Sequence, residues 1–175
     1  MYNRILVPTD GSAGIGRVID HAAQLAQKHD AELHFLYVVN TASFANLPME
    51  TSWESVTSML RDEGETALAD AKSRVGEQAA KTVIVDGSPS REIVEYAVRE
   101  RCDLIVMGTN GRGGLNRLLL GSIAERVVRN SKIPVLTVRI SEAEPTAEPV
   151  DEPVEESVEE LQPVTADPAV SEALE

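Results

Sequence analysis

Cysteine is nearly absent: Cys102 stands alone in 175 residues, so the chain cannot close an internal disulfide, as suits a reducing compartment. Its place just before a β-type run makes it a small packing residue. Long apolar runs are missing too, none approaching the ~20 residues that span a bilayer. The opening "MYNRILVPTDGS" reaches polar turn residues after a short apolar core, unlike a signal peptide. A soluble, cytoplasmic protein is expected. The three histidines, His21, His29 and His34, show no metal-ligand spacing, which leaves surface or packing roles.

Bases are missing from one region entirely. Residues 141–175 hold twelve Asp or Glu and no Lys or Arg. Of the 29 acids, 17 therefore remain in residues 1–140 against all 16 bases, so a chain of net charge −13 has a body of only −1. Neither sign dominates that body, which excludes a basic nucleic-acid footprint. The acidic region also lacks aromatics and carries five of the nine prolines, at 145, 149, 153, 163 and 168. Such a composition buries too little apolar surface to offset chain entropy, and it reads as a disordered, solvated tail rather than an interaction arm. The chain thus divides into one domain, 1–140, and a tail, 141–175.

What is present in the body alternates. Apolar runs at 4–8 ("RILVP"), 32–39 ("ELHFLYVV"), 81–87 ("KTVIVDG"), 103–108 ("DLIVMG") and 134–139 ("PVLTVR") are nearly continuous, the pattern of strands buried on both faces. Between them, Ile15, Val18, Ile19, Ala22, Ala23 and Ala26 recur at helical spacing. So do Val56, Met59, Leu60, Ala67, Leu68, Ala71 and Val75 within 52–80. Thr51 with Glu54 and Ser122 with Glu125 fit capping boxes, and Ser88 before Pro89 fits an N-cap, placing further helices at 89–101 and 122–131. Residues 40–51, with Phe44, Asn46 and Pro48, read as a connector. Strand and helix in alternation imply right-handed crossovers and a doubly wound parallel sheet with helices on both faces. The fold class is α/β.

In such sheets ligands bind beyond the carboxyl ends of the strands, where successive connections diverge. "VPTDGS" at 7–12 and "MGTNG" at 107–111 end the first and fourth runs. Five of the chain's 11 glycines fall between Gly108 and Ser122, a concentration that lets backbone N–H groups approach an anion, with a helix N-terminus following at Ser122. No G-x-x-x-x-G-K-[ST] or first-turn G-x-G-x-x-G is present, so neither a P-loop nor a Rossmann dinucleotide site is supported. From the residues alone a nucleotide site and a structural loop both stand. Asp10 equally suits an Asx-turn, and Ser122 suits an N-cap with or without ligand.

Gly108, two residues, Gly111, nine residues, then Gly121 and Ser122 resemble the G-2x-G-9x-G-[ST] motif of universal stress proteins of the UspA type, in their ATP-binding branch. "ILVPTDGS", "GSPSREIVEYA" and "LLLGSIAERVVRNSKIPVLTVR" extend the resemblance in order over about residues 1–140. It implies a five-stranded parallel sheet of order 3-2-1-4-5, a homodimer through the last strand, and ATP as ligand, with Mg left open. By the same resemblance Pro8, Thr9 and Asp10 line the adenosine end, Asp10 reaching the ribose, and Val38 meets the adenine through its backbone. Met107 and Gly108 border the sugar; Gly111, Gly121, Ser122 and Ile123 hold the phosphates. Asn110 stands where the family often has His. It tolerates the turn and still donates a hydrogen bond, but it cannot transfer a proton there. Arg112 and Arg117 remain unassigned between phosphate contacts and solvated charges.

The function implied is a nucleotide-dependent stress-response or signalling module acting through an unknown protein partner. No catalytic residue and no metal ligand is assigned. Without a motif Glu or His to orient water, or a lysine for the leaving phosphate, any ATPase is slow. The alternative is a nucleotide-independent dimeric adaptor, although this chain keeps the glycines. A pyrophosphatase or nucleotidyl transferase is disfavoured because "PTDGSAG" carries neither S-G-G-x-D-S nor H-x-G-H.

Overall fold

A computed structural model describes residues 1–44, 53–109 and 120–140. Its elements alternate: β1 (Arg4–Thr9), α1 (Ile15–His29), β2 (Glu32–Val39), a single 3-10 turn (Thr41–Phe44), α2 (Trp53–Val75), β3 (Ala80–Asp86), α3 (Pro89–Arg99), β4 (Leu104–Gly108), α4 (Ser122–Asn130) and β5 (Val135–Val138). All strand pairs are parallel, in the order β3-β2-β1-β4-β5. The α/β class and the strand order are those expected.

Near-continuous apolar runs arise because each strand feeds two cores. Ile5, Val7, Leu33, Phe35, Tyr37, Val39, Leu104 and Val106 pack beneath Val18, Ile19, Ala22 and Ala26 of α1 and Ala67, Leu68 and Ala71 of α2. The intervening residues, Leu6, Leu36, Ile105 and Met107, face Ile93, Tyr96 and Ala97 of α3 and Ala124 and Val127 of α4. Two helices per face follow from handedness. β1 to β3 build in one direction with α1 and α2 above the sheet; α3 carries the chain back past β1, so α3 and α4 cover the other face.

Element ends differ from the sequence pattern where backbone conformation, not periodicity, decides. The helix expected over 52–80 stops at Val75 because Gly76 adopts φ +61°, a left-handed stop open to glycine. α1 ends similarly at Asp30, φ +56°, whose N–H donates to the Ala26 carbonyl. Ser88 and Pro89 open α3 as expected. At α4 the expected capping box is not formed. Gly121 is the N-cap and Ser122 the first helical residue, with no side-chain cap bond. Thr51 lies outside the described residues.

Cys102 is buried against the α3/α4 core, and burial pushes its thiol up to about 11, so it packs rather than reacts. His34 is buried as well. Its Nδ1 lies 3.0 Å from the Tyr96 hydroxyl, which burial raises to about 12 and so keeps protonated as a donor. Nε2 is 3.2 Å from Glu32 Oε2, a contact too poorly aligned to count as a hydrogen bond. His29 stacks edge-on against Tyr2. Packing roles thus hold for two of the three histidines.

Candidate functional site

The direction of winding reverses between β1 and β4, the switch point at which ligands bind in such sheets. Backbone groups of even-numbered β1 residues face β4, since the Arg4 carbonyl accepts the Asp103 N–H at 2.8 Å. Pairing continues through Ile5↔Leu104 and Leu6↔Ile105 and then ends. The next β1 residue due to donate toward β4 is Pro8, which has no N–H. β1 stays paired with β2 through Pro8↔Leu36 and Thr9↔Tyr37, so the gap forms on the β4 side alone. The ladder between β1 and β4 therefore ends at one proline.

Its first wall is a tight turn. Thr9, buried, accepts the Gly11 N–H on its Oγ1 at 3.2 Å, and Asp10 Oδ1 accepts the Ser12 N–H at 3.0 Å, an Asx-turn. Gly11 takes φ +70°, a conformation costly with a β-carbon. The Ser12 carbonyl then accepts the Ile15 N–H at 3.1 Å and starts α1. Ser12 Oγ is itself buried without a partner among the described residues.

The second wall begins at the end of β4. Gly108 pairs with Val138 of β5, and the Thr109 N–H donates to the Val138 carbonyl at 2.9 Å. The Thr109 carbonyl accepts the Gly121 N–H at 2.7 Å, which brings the start of α4 to the strand end. The first-turn N–H groups of α4 have no acceptor within the helix and no side-chain cap, so they can take an anion. Chemically the pair of walls offers a turn rich in oxygen acceptors on one side and unspent N–H donors on the other.

Of the residues named from sequence, Pro8, Thr9, Asp10, Met107, Gly108, Gly121, Ser122 and Ile123 come to this end of the sheet. Val38 joins them from the end of β2, paired with Val85. Gly111, Asn110, Arg112 and Arg117 lie outside the described residues. The Met107 side chain is 5% exposed and packs in the α3/α4 core, so only its main chain is left for a ligand. Ile123 is 41% exposed, and its N–H belongs to the first turn of α4, which has no acceptor within the helix. Sequence reasoning missed Thr109 and Ser12. Thr109 acts through main-chain bonds that carry no residue signature, whereas Ser12 lies within "VPTDGS" and its burial, which spacing does not encode, is what marks it.

Two other hollows compete for attention. One of about 1240 Å³ lies at the amino ends of the strands, where Arg74 pairs with Asp20 and Arg4 with Glu32. The other, about 680 Å³, runs between α1 and α2 as far as Gly11 and Ser12. The switch-point crevice is preferred because it alone joins an anion-accepting helix end to the strand reversal.

These features define a doubly wound α/β protein whose candidate ligand site is the β1/β4 switch point. The chain belongs to the Universal stress protein family, whose model matches residues 1–139. It is 44% identical over 146 residues to Universal stress protein MJ0531 of Methanocaldococcus jannaschii, covering 82% of this chain and 86% of that one. It is 34% identical to Universal stress protein YxiE of Bacillus subtilis, covering 79% and 100%. Among solved structures, Universal stress protein UspA from Lactobacillus plantarum superposes with TM-score 0.68 at 30% identity, over 79% of this chain and 98% of that one. A universal stress protein in complex with cAMP gives 0.63 at 28%, over 80% and 99%. Among the described residues no helix is long and apolar enough to cross a membrane.

Proposed function

We propose that this protein is an adenine-nucleotide-binding stress-response or signalling module of the cytoplasm, with ATP, bare or with Mg, as its ligand and with slow or no hydrolysis. The observation that carries the reading is the hydrogen-bond chain from Val138 through Thr109 to Gly121, which holds the uncapped start of α4 at the carboxyl end of β4, the strand next to β1. A neighbour of the same fold and family that is complexed with cAMP supports an adenine ligand. Pro8, Thr9, Asp10 and the Val38 main chain take the adenosine. Met107 and Gly108 border the sugar, and Gly111, Gly121, Ser122 and Ile123 hold the phosphates. The orphaned Ser12 hydroxyl and the open α4 donors fit a ligand bearing both hydroxyls and anionic oxygens. Asp10, the carboxylate at the crevice, is engaged in its turn and is poorly placed to activate water.

Calorimetric titration with Mg-ATP tests this. The parent chain is expected to bind saturably and a Gly111→Val variant to lose binding, because a branched side chain blocks the backbone approach to phosphate. A folded parent that binds no adenine nucleotide would hand the lead to the dimeric adaptor. The same reading makes the protein a homodimer through β5, an edge strand whose Val135 and Leu136 are only half-buried. Light scattering is expected to give twice the chain mass; a monomer at every concentration would count against that interface.

A further inference from the structure

The turn that leaves β1 is shaped by its own short-range bonds, Gly11 N–H to Thr9 Oγ1 and Ser12 N–H to Asp10 Oδ1. Those bonds fix its form but not where it stands, because both partners of each move with it. Toward α2 its residues Gly11, Ser12 and Ala13 border the hollow of about 680 Å³, an open space rather than a support. A residue from the far end of the domain, Ile140, meets it at Gly14, the N-cap of α1. The approach is so close that a β-carbon on Gly14 would overlap Ile140 Cγ2 and lie 3.1 Å from its Cβ and 3.6 Å from its Cγ1. Gly14 has φ −83° and ψ −6°, a conformation open to every L residue. Backbone strain therefore does not call for glycine there; the approach of Ile140 does.

Ile140 is itself well anchored. Two residues before it, Val138 is buried, pairs with Gly108 and accepts the Thr109 N–H at 2.9 Å. The Ile140 side chain packs against the core beneath α1 and α2. The end of β5 thus fixes where Gly14 can lie, and the Ser12 carbonyl, bonded to the Ile15 N–H at 3.1 Å, carries that position back into the turn.

We propose that Ile140 is a positioning residue for the adenosine end of the site: its Cγ2 methyl seats Gly14 and so holds the Thr9–Ser12 turn in the arrangement that takes the nucleoside. This rests on the nucleotide-binding reading above and adds a residue that acts through Gly14 alone. The physical reason is preorganisation. A turn already held need not be ordered when the ligand arrives, whereas a turn free to shift subtracts that ordering from the binding free energy. The effect is confined to what the turn supplies. The phosphate donors belong to α4, whose start is held by the main chain of Thr109 and not by the Ile140 side chain.

Calorimetric titration of full-length variants with ATP, adenosine and inorganic tripolyphosphate, all without Mg, tests this. Ile140→Val keeps Cβ and both γ-carbons, the three atoms nearest Gly14, and loses only the δ-methyl. It is expected to match the parent with all three ligands. Ile140→Ala loses both γ-carbons and is expected to weaken ATP and adenosine by one common factor, about three- to tenfold, the equivalent of ordering one or two side chains on binding. Tripolyphosphate is expected to bind that variant unchanged. Val83→Ala, which thins the packing of β3 against the α3/α4 core, controls for lost stability elsewhere and is expected to bind as the parent does. Equal losses in the two Ile140 variants, no loss in Ile140→Ala, a matching fall in tripolyphosphate affinity, or the same loss in Val83→Ala would each overturn the inference and leave the nucleotide site standing. A parent that binds neither ATP nor adenosine, although thermal melts show it folded, would remove the nucleotide reading and the inference together.

Discussion

Alanine at Phe35 is expected to cost about 3–5 kcal/mol, and alanine at its neighbour Leu36 about 2–5 kcal/mol. Both side chains are fully buried, yet in different cores: Phe35 lies under α1 and α2, Leu36 against α3 and α4. Consecutive residues of a strand point to opposite faces, so a sheet covered on one side would lose stability at only one of the two positions. Here both leave a cavity that close-packed neighbours fill only in part. Urea unfolding of each full-length variant measures the effect as a lowered midpoint at unchanged slope. A cost below about 1 kcal/mol at either position would contradict two-sided burial of β2.

Gly14→Ala is expected to destabilise the protein by about 1–3 kcal/mol, the usual penalty for forcing a methyl into filled space. Gly14 has φ −83°, open to any residue, so the penalty comes from the Ile140 methyl and not from backbone strain. Ile140→Ala shortens that side chain to its β-carbon, and in the double variant the loss should be largely recovered. A double-mutant cycle reads the coupling. Additive single effects would show that Ile140 does not rest on Gly14. Because Gly14 closes the turn that begins at Asp10, the single variant should also weaken adenine-nucleotide binding, an effect the double variant should reverse.

Much of the secondary structure is legible along the chain because its causes are local. The strands at 32–39 and 104–108 announce themselves by apolar runs, and α1 by the spacing of Val18, Ile19, Ala22 and Ala26. Where a boundary moved, a single residue decided it. Gly76 ended α2 at Val75, the last apolar residue of the pattern and short of residue 80, by adopting a left-handed conformation that hydrophobic spacing does not encode. At α4, Ser122 and Glu125 have the spacing of a capping box, but the Thr109 carbonyl takes the Gly121 N–H and helical geometry starts one residue earlier than that box requires.

The site divides along the same line. Its glycines and the Thr9–Ser12 turn are readable because they depend on neighbours in sequence, as the Asx-turn of Asp10 shows. Pro8 is readable as a residue but not as the end of a ladder, since that role needs β4 on the correct side of β1. Val38 and Met107 are readable as strand residues. Which of their atoms face a ligand follows only from the core that takes the Met107 side chain.

By itself, then, the sequence determined the two-sided burial of the strands, the alternation with helices, the spacing of the glycines between Gly108 and Gly121 and the separation of a near-neutral body from twelve acids. Each is set by composition or by periodicity among near neighbours. Only the tertiary structure decided that β1 and β4, about one hundred positions apart, lie side by side, that Thr109 ties Gly121 to Val138, and that Ile140 rests on Gly14. Those juxtapositions depend on which strand the α3 crossover returns to and on close packing against distant partners. The handedness of crossovers narrows that choice, and burial of both sheet faces completes it.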